Sequence, residues 1–436
     1  MLRKTIFLIV IYLSAGLYLF LLTSCEGPEG EPGKDANESC KTCHNPNIVD
    51  RIIPQYELSK HFMGTSAFDE RGTVACAPCH ESSGFNFVCA NNIPSTFTLD
   101  PATNKYVNNY MTPDTAAYGS ISCRTCHSSI HKTYDSTDLR QFATTMPVKM
   151  TMWAEAKTID ITQNNSKSNL CIKCHQPRPI AASASLSDGN VVDYADLAAN
   201  PLAVFYDSAS SNIKSNKLLP TYRTSIHYGS SGAIFAGKGG IEFAGSMEYT
   251  SSKHAITASC IDCHMGAMTG AAGGHTFSAK GNFKSCNVVG CHSDEPYSAT
   301  TPKFINTQKE IKGLLEILAA KITSGSGSLL HSDINATTNL WAGVTVNNYD
   351  GYLNIYDPIA NPGGTFQCPA PAGSWLPGQK ILNKALPKFT SLKNVQFGAI
   401  INFQLCLREF SLGIHNYEYS KALLTNTIDA LTAAGF

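Results

Sequence analysis

Five copies of Cys-x-x-Cys-His are written into this chain. They are Cys40-Lys41-Thr42-Cys43-His44, Cys76-Ala77-Pro78-Cys79-His80, Cys123-Arg124-Thr125-Cys126-His127, Cys171-Ile172-Lys173-Cys174-His175 and Cys260-Ile261-Asp262-Cys263-His264. A sixth, Cys286-Asn287-Val288-Val289-Gly290-Cys291-His292, is stretched by two residues. With 16 Cys and 13 His in 436 residues, random placement gives roughly 0.02 five-residue matches. A zinc site pairs two Cys motifs around one metal and needs no His after each second Cys. A thioredoxin-like motif occurs once and needs none either. The repeated pattern is that of covalent haem attachment: two thiols form thioethers to the vinyl groups, and the next imidazole binds the iron. Six haem c groups with iron are therefore expected. Cys40, Cys43, Cys76, Cys79, Cys123, Cys126, Cys171, Cys174, Cys260, Cys263, Cys286 and Cys291 hold them, with His44, His80, His127, His175, His264 and His292 as proximal ligands. For the sixth site a plain Cys286–Cys291 disulfide is the alternative. A chain built this way is expected to handle electrons, with no catalytic residue assigned.

Successive motif histidines are 36, 47, 48, 89 and 28 residues apart, too irregular for a tandem repeat. Charged residues make up 15% of the chain, below the roughly 25% of ordinary domains. Ser, Thr, Asn and Gly fill their place. The expected fold is mainly α, with extensive irregular loops wrapped around a covalent haem stack, a C-terminal long-helix element and little β. The haem stack is expected to substitute for a large aliphatic core, so folding is coupled to haem as it is to metal in small metallodomains. Without Arg3 and Lys4, 31 basic residues face 33 acidic ones, a formal charge of −2. No basic patch points to nucleic acid.

The ends of the chain suggest four parts. Residues 1–24 read as a lipoprotein signal peptide: Arg3 and Lys4 precede an apolar run from Ile6 to Leu22, which ends in Leu22-Thr23-Ser24-Cys25. Cys25 is the expected lipidation site; an uncleaved single-span anchor is the alternative. Residues 25–38 form a Gly/Pro/Glu tether, too short for a collagen triple helix. Residues 39–300 form the hexahaem domain. Residues 301–436 form a helical region with a loop insertion at about 324–389. Within it, Thr307-Gln-Lys-Glu310 reads as a capping box before a helix, a second helix is expected from Leu392 to Phe410, and Gly413 and Asn416 separate it from a third. The segment Gly232 to Gly239 nearly matches a phosphate-binding loop but has Gly where Ser or Thr must hold magnesium. It reads as turns beside a haem.

A low-spin haem iron needs a second strong ligand. Seven His lie outside the motifs. His61, His131, His227, His254, His275 and His415 are the candidate distal ligands; His331, in a Ser/Gly stretch, reads as a solvated side chain. Met63, Met247, Met265 and Met268 read as packing residues. Cys89, Cys368 and Cys406 remain, and a Cys368–Cys406 disulfide is one pairing among those open.

The run Cys260-x-x-Cys-His-Met265, then Gly274-His275-Thr-Phe277, then a last haem motif, then long helices with His415-Asn416 and a Tyr soon after, resembles the multihaem cytochrome superfamily. That group includes ammonia-forming cytochrome c nitrite reductases and hydroxylamine-oxidoreductase relatives. The resemblance covers mainly residues 250–436. It implies that His275 and His415 are distal ligands to haems distant in sequence. The Cys-x-x-Cys-Lys catalytic motif common in the reductases is absent from the sequence. By haem number the chain is also similar to extracellular filament cytochromes. The expected function is electron transfer by tunnelling along stacked bis-His haems, in the periplasm or at the outer surface of a Gram-negative envelope. The expected location is an outer-membrane lipoprotein, periplasmic or surface-facing. Expected partners are other cytochromes or an outer-membrane electron conduit, the membrane through the Cys25 lipid, and further copies as a homo-oligomer or filament. The alternative is a multihaem reductase of a small nitrogen or sulfur oxyanion at a haem with an open axial position.

Overall fold

The computed structural model describes residues 49–63, 74–95, 97–100, 102, 105–113, 119–128, 137–150, 157–178, 180, 192–207, 224, 226–227, 229–324, 327–332, 349–353, 355–356, 386–387 and 391–436. The signal, Cys25, the tether, the first motif with Cys40, Cys43 and His44, and also His131 and Cys368, lie outside them, as does the His331 side chain. Two compact units divide the chain: Met1–Arg51 with His131–Thr133, and Ile52–Ile130 with Tyr134–Phe436. The second carries every feature discussed below.

The architecture is mainly helical with irregular loops and little β. Among the described residues, strands occur only as two-stranded antiparallel ladders, such as Val148–Met150 with Lys157–Ile159 and Val204–Asp207 with Ser391–Lys393. No helix among them is long and apolar enough to cross a membrane.

Three helices at the C-terminal end pack against one another: Pro302–Lys321, Asn394–Arg408 and Tyr417–Ala433. The first starts five residues before the Thr307 expected to cap it. Pro302, with its fixed backbone angle and no N–H to satisfy, takes the first helical position after Thr301. The second starts at Asn394 because Ser391–Lys393 pairs as a strand with Val204–Asp207. The third is capped as its sequence suggests, with Asn416 Oδ1 accepting the Tyr419 N–H at 3.4 Å.

Every residue of Asn394–Arg408 is buried. Its apolar side chains, Val395, Phe397, Ile400, Ile401, Phe403 and Leu405, join one core with Phe205, Ile241, Phe243, Leu315, Leu318, Leu423 and Leu424. Burying a Leu or Phe contributes about 1.5–3 kcal/mol. The aliphatic core is thus larger than composition led us to expect, and it lies in the haem-free third and the loops wrapped on it. Cys406, on this helix, is a buried free thiol, as is Cys89. A buried thiol packs as a small hydrophobe; the Cys368–Cys406 pairing falls on Cys368, outside the described residues.

The same helix carries buried amides, and these fix the loops. Asn402 exchanges two 2.8 Å bonds with the Ile241 backbone. Gln404 donates to Thr224 O at 3.1 Å and Gly351 O at 2.6 Å, and accepts from Ile226 N at 3.3 Å. Asn394 donates to Asn200 O at 2.9 Å. Loop backbone has no sheet partner of its own, so buried N–H and C=O groups must find side chains. These amides supply them.

Candidate metal centres

Four of the motifs begin in one helical turn: Ala77–His80, Cys123–Cys126, Asn169–Ile172 and Cys260–His264. Helical spacing puts residues i and i+3 on one face, so both thiols of Cys-x-x-Cys project together. Two of the turns are capped from within the motif. Ser122 pairs with Thr125, and Ser259 with Asp262 at 2.7–2.8 Å. In three motifs the His N–H bonds back to the first Cys carbonyl: His80 to Cys76 at 3.1 Å, His127 to Cys123 at 2.9 Å and His175 to Cys171 at 3.0 Å.

The stretched motif ends its helix at Cys286 and continues as a loop through Gly290, whose φ of 87° favours glycine. His292 N still bonds to Cys286 O, at 3.1 Å. The two added residues are thus looped out while the Cys-to-His closure is kept. Cys286 and Cys291 are free thiols.

The imidazoles meet in pairs, each with one motif and one non-motif His. Ring centroids are 5.9 Å apart for His80 and His227, 6.0 Å for His292 and His254, 6.1 Å for His175 and His61, and 6.2 Å for His264 and His415. Two imidazoles on opposite sides of one metal place their centroids roughly 6 Å apart, from metal–nitrogen bonds of about 2 Å and about 1 Å more to each ring centre. The pairs therefore fit a haem iron between them. Among the described residues no three His, Cys, Asp or Glu side chains converge on a metal position, as a zinc set would. His275 lies within electrostatic reach of His127. The His331 segment, read as loop, is a strand, Leu330–Ser332.

At five of the histidines burial favours the neutral imidazole, the form that binds a metal. Burial, aided by His175, lowers His61 to about 4. Burial is also the largest cause of lowering at His175, His264, His275 and His292. At His415 burial acts the same way, but the charge and hydrogen bond of Glu409 outweigh it and raise the free imidazole. The second ring nitrogen is held in each case where a partner is seen. His175 Nδ1 meets Gly229 O at 3.1 Å, His254 Nδ1 meets Ile414 O at 2.9 Å, His264 Nδ1 meets Phe277 O at 2.8 Å and His415 Nδ1 meets Glu409 Oε2 at 2.5 Å. An Nδ1–H donated this way leaves Nε2 for a metal.

The residues that place these rings went unread in the sequence. Gln404 and Arg408 hold Ile226 N and O, next to His227. The Arg408 carbonyl takes Gly229 N at 3.3 Å, beside the His175 partner. Asn416 Oδ1 takes Ser252 N at 2.9 Å, two residues before His254. Gln55 Oε1 takes His275 N at 3.0 Å. Phe277 has a left-handed backbone, φ 54°, rare for a bulky residue. It sits among three histidines: its carbonyl on His264, its ring 4.8 Å from His61 and 5.7 Å from His275. A glycine-rich run was the visible signal at two places. A Cβ on Gly232 would meet His175 O at 2.7 Å, and one on Gly274 would meet Gln55 Oε1 at 2.2 Å.

The motifs also touch one another. The Cys79 sulfur lies 3.5 Å from Lys173 O, and the Cys174 sulfur 4.0 Å from Pro78 O. Cys171 and Cys260 lie within electrostatic reach of each other, and Cys260 N donates to Ser168 Oγ at 3.1 Å, just before the fourth motif. Cys263 lies within electrostatic reach of Cys286 and Cys291, and Cys126 of Cys171 and Cys174.

No curated protein and no solved structure matches the chain. The family model for cytochrome c554 and c-prime matches residues 122–189, which hold the third and fourth motifs. That match, on two of the Cys-x-x-Cys-His sites built here, supports a c-type cytochrome with covalently bound haem and a role in electron transfer.

Proposed function

We propose that the chain is a hexahaem electron carrier with two imidazoles on each iron. The observation that carries the reading is the set of four His–His pairs at 5.9–6.2 Å, each joining a motif His to a non-motif one. On this reading His227, His61, His415 and His254 are the distal ligands opposite His80, His175, His264 and His292. His275 serves His127. The ligands of the first site, His44 and its partner, fall outside the described residues. Haem, when bound, supplies a one-electron iron couple whose potential the protein sets through ligands, hydrogen bonds and burial. The protein's own residues fix both axial rings, hold their Nδ1 protons and bring the attachment sites together.

The contacts between motifs give the order of those sites. The second motif meets the fourth, the fourth meets the fifth and the fifth meets the sixth, with the third beside the fourth. This differs from sequence order, and it makes the second-to-sixth series a continuous route for electrons. The stretched motif is one end of it: Val289 is 93% exposed and Cys291 is exposed. Electrons would pass there to or from another cytochrome or an envelope conduit. Lipidation at Cys25, with the tether behind it, would hold the carrier at an outer membrane. Low-temperature EPR of the purified holoprotein tests the assignment. Six low-spin ferric haems are expected; a high-spin signal from one would favour a reductase with an open axial position.

A further inference from the structure

Of the four Nδ1 partners seen among the described residues, one differs in kind from the other three. His175, His254 and His264 face neutral backbone carbonyls. His415 faces the side chain of Glu409, which is 1% exposed. Glu409 Oε1 accepts both the Ser411 N–H at 3.0 Å and the Ser411 hydroxyl at 2.9 Å, while Oε2 accepts His415 Nδ1–H at 2.5 Å. The Ser411 Oγ in turn accepts the His415 N–H at 2.9 Å. Glu409 Oε1 is an acceptor in both of its bonds to Ser411, and with the Nδ1–H tautomer of His415 Oε2 is one too. The ring closed by Glu409, Ser411 and His415 leaves the carboxylate little freedom to turn away. A charged acceptor in a dry site polarises its donor more strongly than a carbonyl does.

Resting on the bis-histidine reading above, we propose that Glu409 is a positioning residue that lowers the reduction potential of the His264–His415 site. By drawing the Nδ1 proton of His415 toward itself, the carboxylate gives Nε2 more anionic character. That favours ferric over ferrous iron. The step it governs is a one-electron exchange with a neighbouring haem of the same chain. Iron alone changes oxidation state, no bond to His415 forms or breaks, and the proton stays between Nδ1 and Oε2. The site lies between the fourth and sixth motifs, so an electron arriving there moves on instead of collecting.

The test is spectroelectrochemistry of the full-length holoprotein with low-temperature EPR on the same samples. Glu409→Gln keeps an acceptor at the same place without the charge. One haem should rise in potential, its ferric-to-ferrous ratio at fixed poise falling about tenfold, or about 59 mV for one electron, with all haems still low-spin. Ser411→Ala removes a hydrogen bond that weakens the carboxylate as an acceptor. It should move the same haem the opposite way, which a loss of packing would not do. His415→Ala is the control. If it converts one haem to high spin while neither other variant moves a potential, Glu409 has no such role. If His415→Ala leaves every haem low-spin, the axial assignment itself fails.

Discussion

His61 shows how far a single residue can be read. Its sequence context marks it only as a histidine after the first motif. The fold carries it instead to His175 of the fourth, with Phe277 against its ring. Burial holds its nitrogen unprotonated down to about 4, so ligation competes with protons only in acid. His61→Ala should convert one haem from low to high spin at neutral pH, as visible and EPR spectra read it. Conversion at no haem would remove His61 from the ligand set. The two buried free thiols behave oppositely. Burial pushes Cys89 up to about 11 and raises Cys406 as well. At pH 7 a thiol at 11 is roughly one ten-thousandth thiolate. Neither should take up iodoacetamide in the folded holoprotein, and both should in denaturant. Rapid labelling of Cys406 without denaturant would contradict its place in the core.

At the scale of elements, the local motifs were legible and their partners were not. Cys-x-x-Cys-His reveals itself because the chemistry is covalent and its residues are adjacent. The stretched copy was readable for the same reason, and His292 N to Cys286 O shows how it still closes. The pairing of distal His was hidden because in three of the four pairs the partners lie more than a hundred residues apart, as with His264 and His415. Helix existence followed from apolar spacing, whereas the starts shifted where Pro302 or a strand took precedence. Nothing in the pattern Asn394-Val-Gln-Phe announced that its amides serve loop backbone. Gln404→Leu tests that service. It removes the side-chain partner of Ile226 N, Thr224 O and Gly351 O in a buried site. Each lost partner costs about 1–3 kcal/mol, so destabilisation of at least about 3 kcal/mol is expected in chemical denaturation. A spectral change at the His227 site should accompany it. A drop in stability without any change at a haem would mean that Gln404 only supports the core.

The whole molecule poses the question of why a haem-free third is present. The resemblance gives it one such part, a distal ligand at His415. The geometry gives it a wider part. Gln404 and Arg408 set Ile226 beside His227, the Arg408 carbonyl sets Gly229 beside His175, Ile414 O holds His254, and Glu409 holds His415. One helix and the turn after it thus steady a ring at each of four sites, belonging to the second, fourth, fifth and sixth motifs. All six motifs precede residue 301, so a chain ending at residue 300 retains every attachment thiol and every proximal His. Haem attachment and haem coordination should therefore separate on truncation. Mass spectrometry should still show covalent haem on the shortened chain. Its ferric spectrum should show about four haems converted to high spin or to mixed ligation, against one for His415→Ala in the full-length protein. The contrast between the two samples is the measurement that decides. A truncated protein that loses low-spin character at a single haem would reduce residues 301–436 to a lid carrying His415. Loss at several haems would make the Asn394–Arg408 helix the element on which the coordination of the whole route depends.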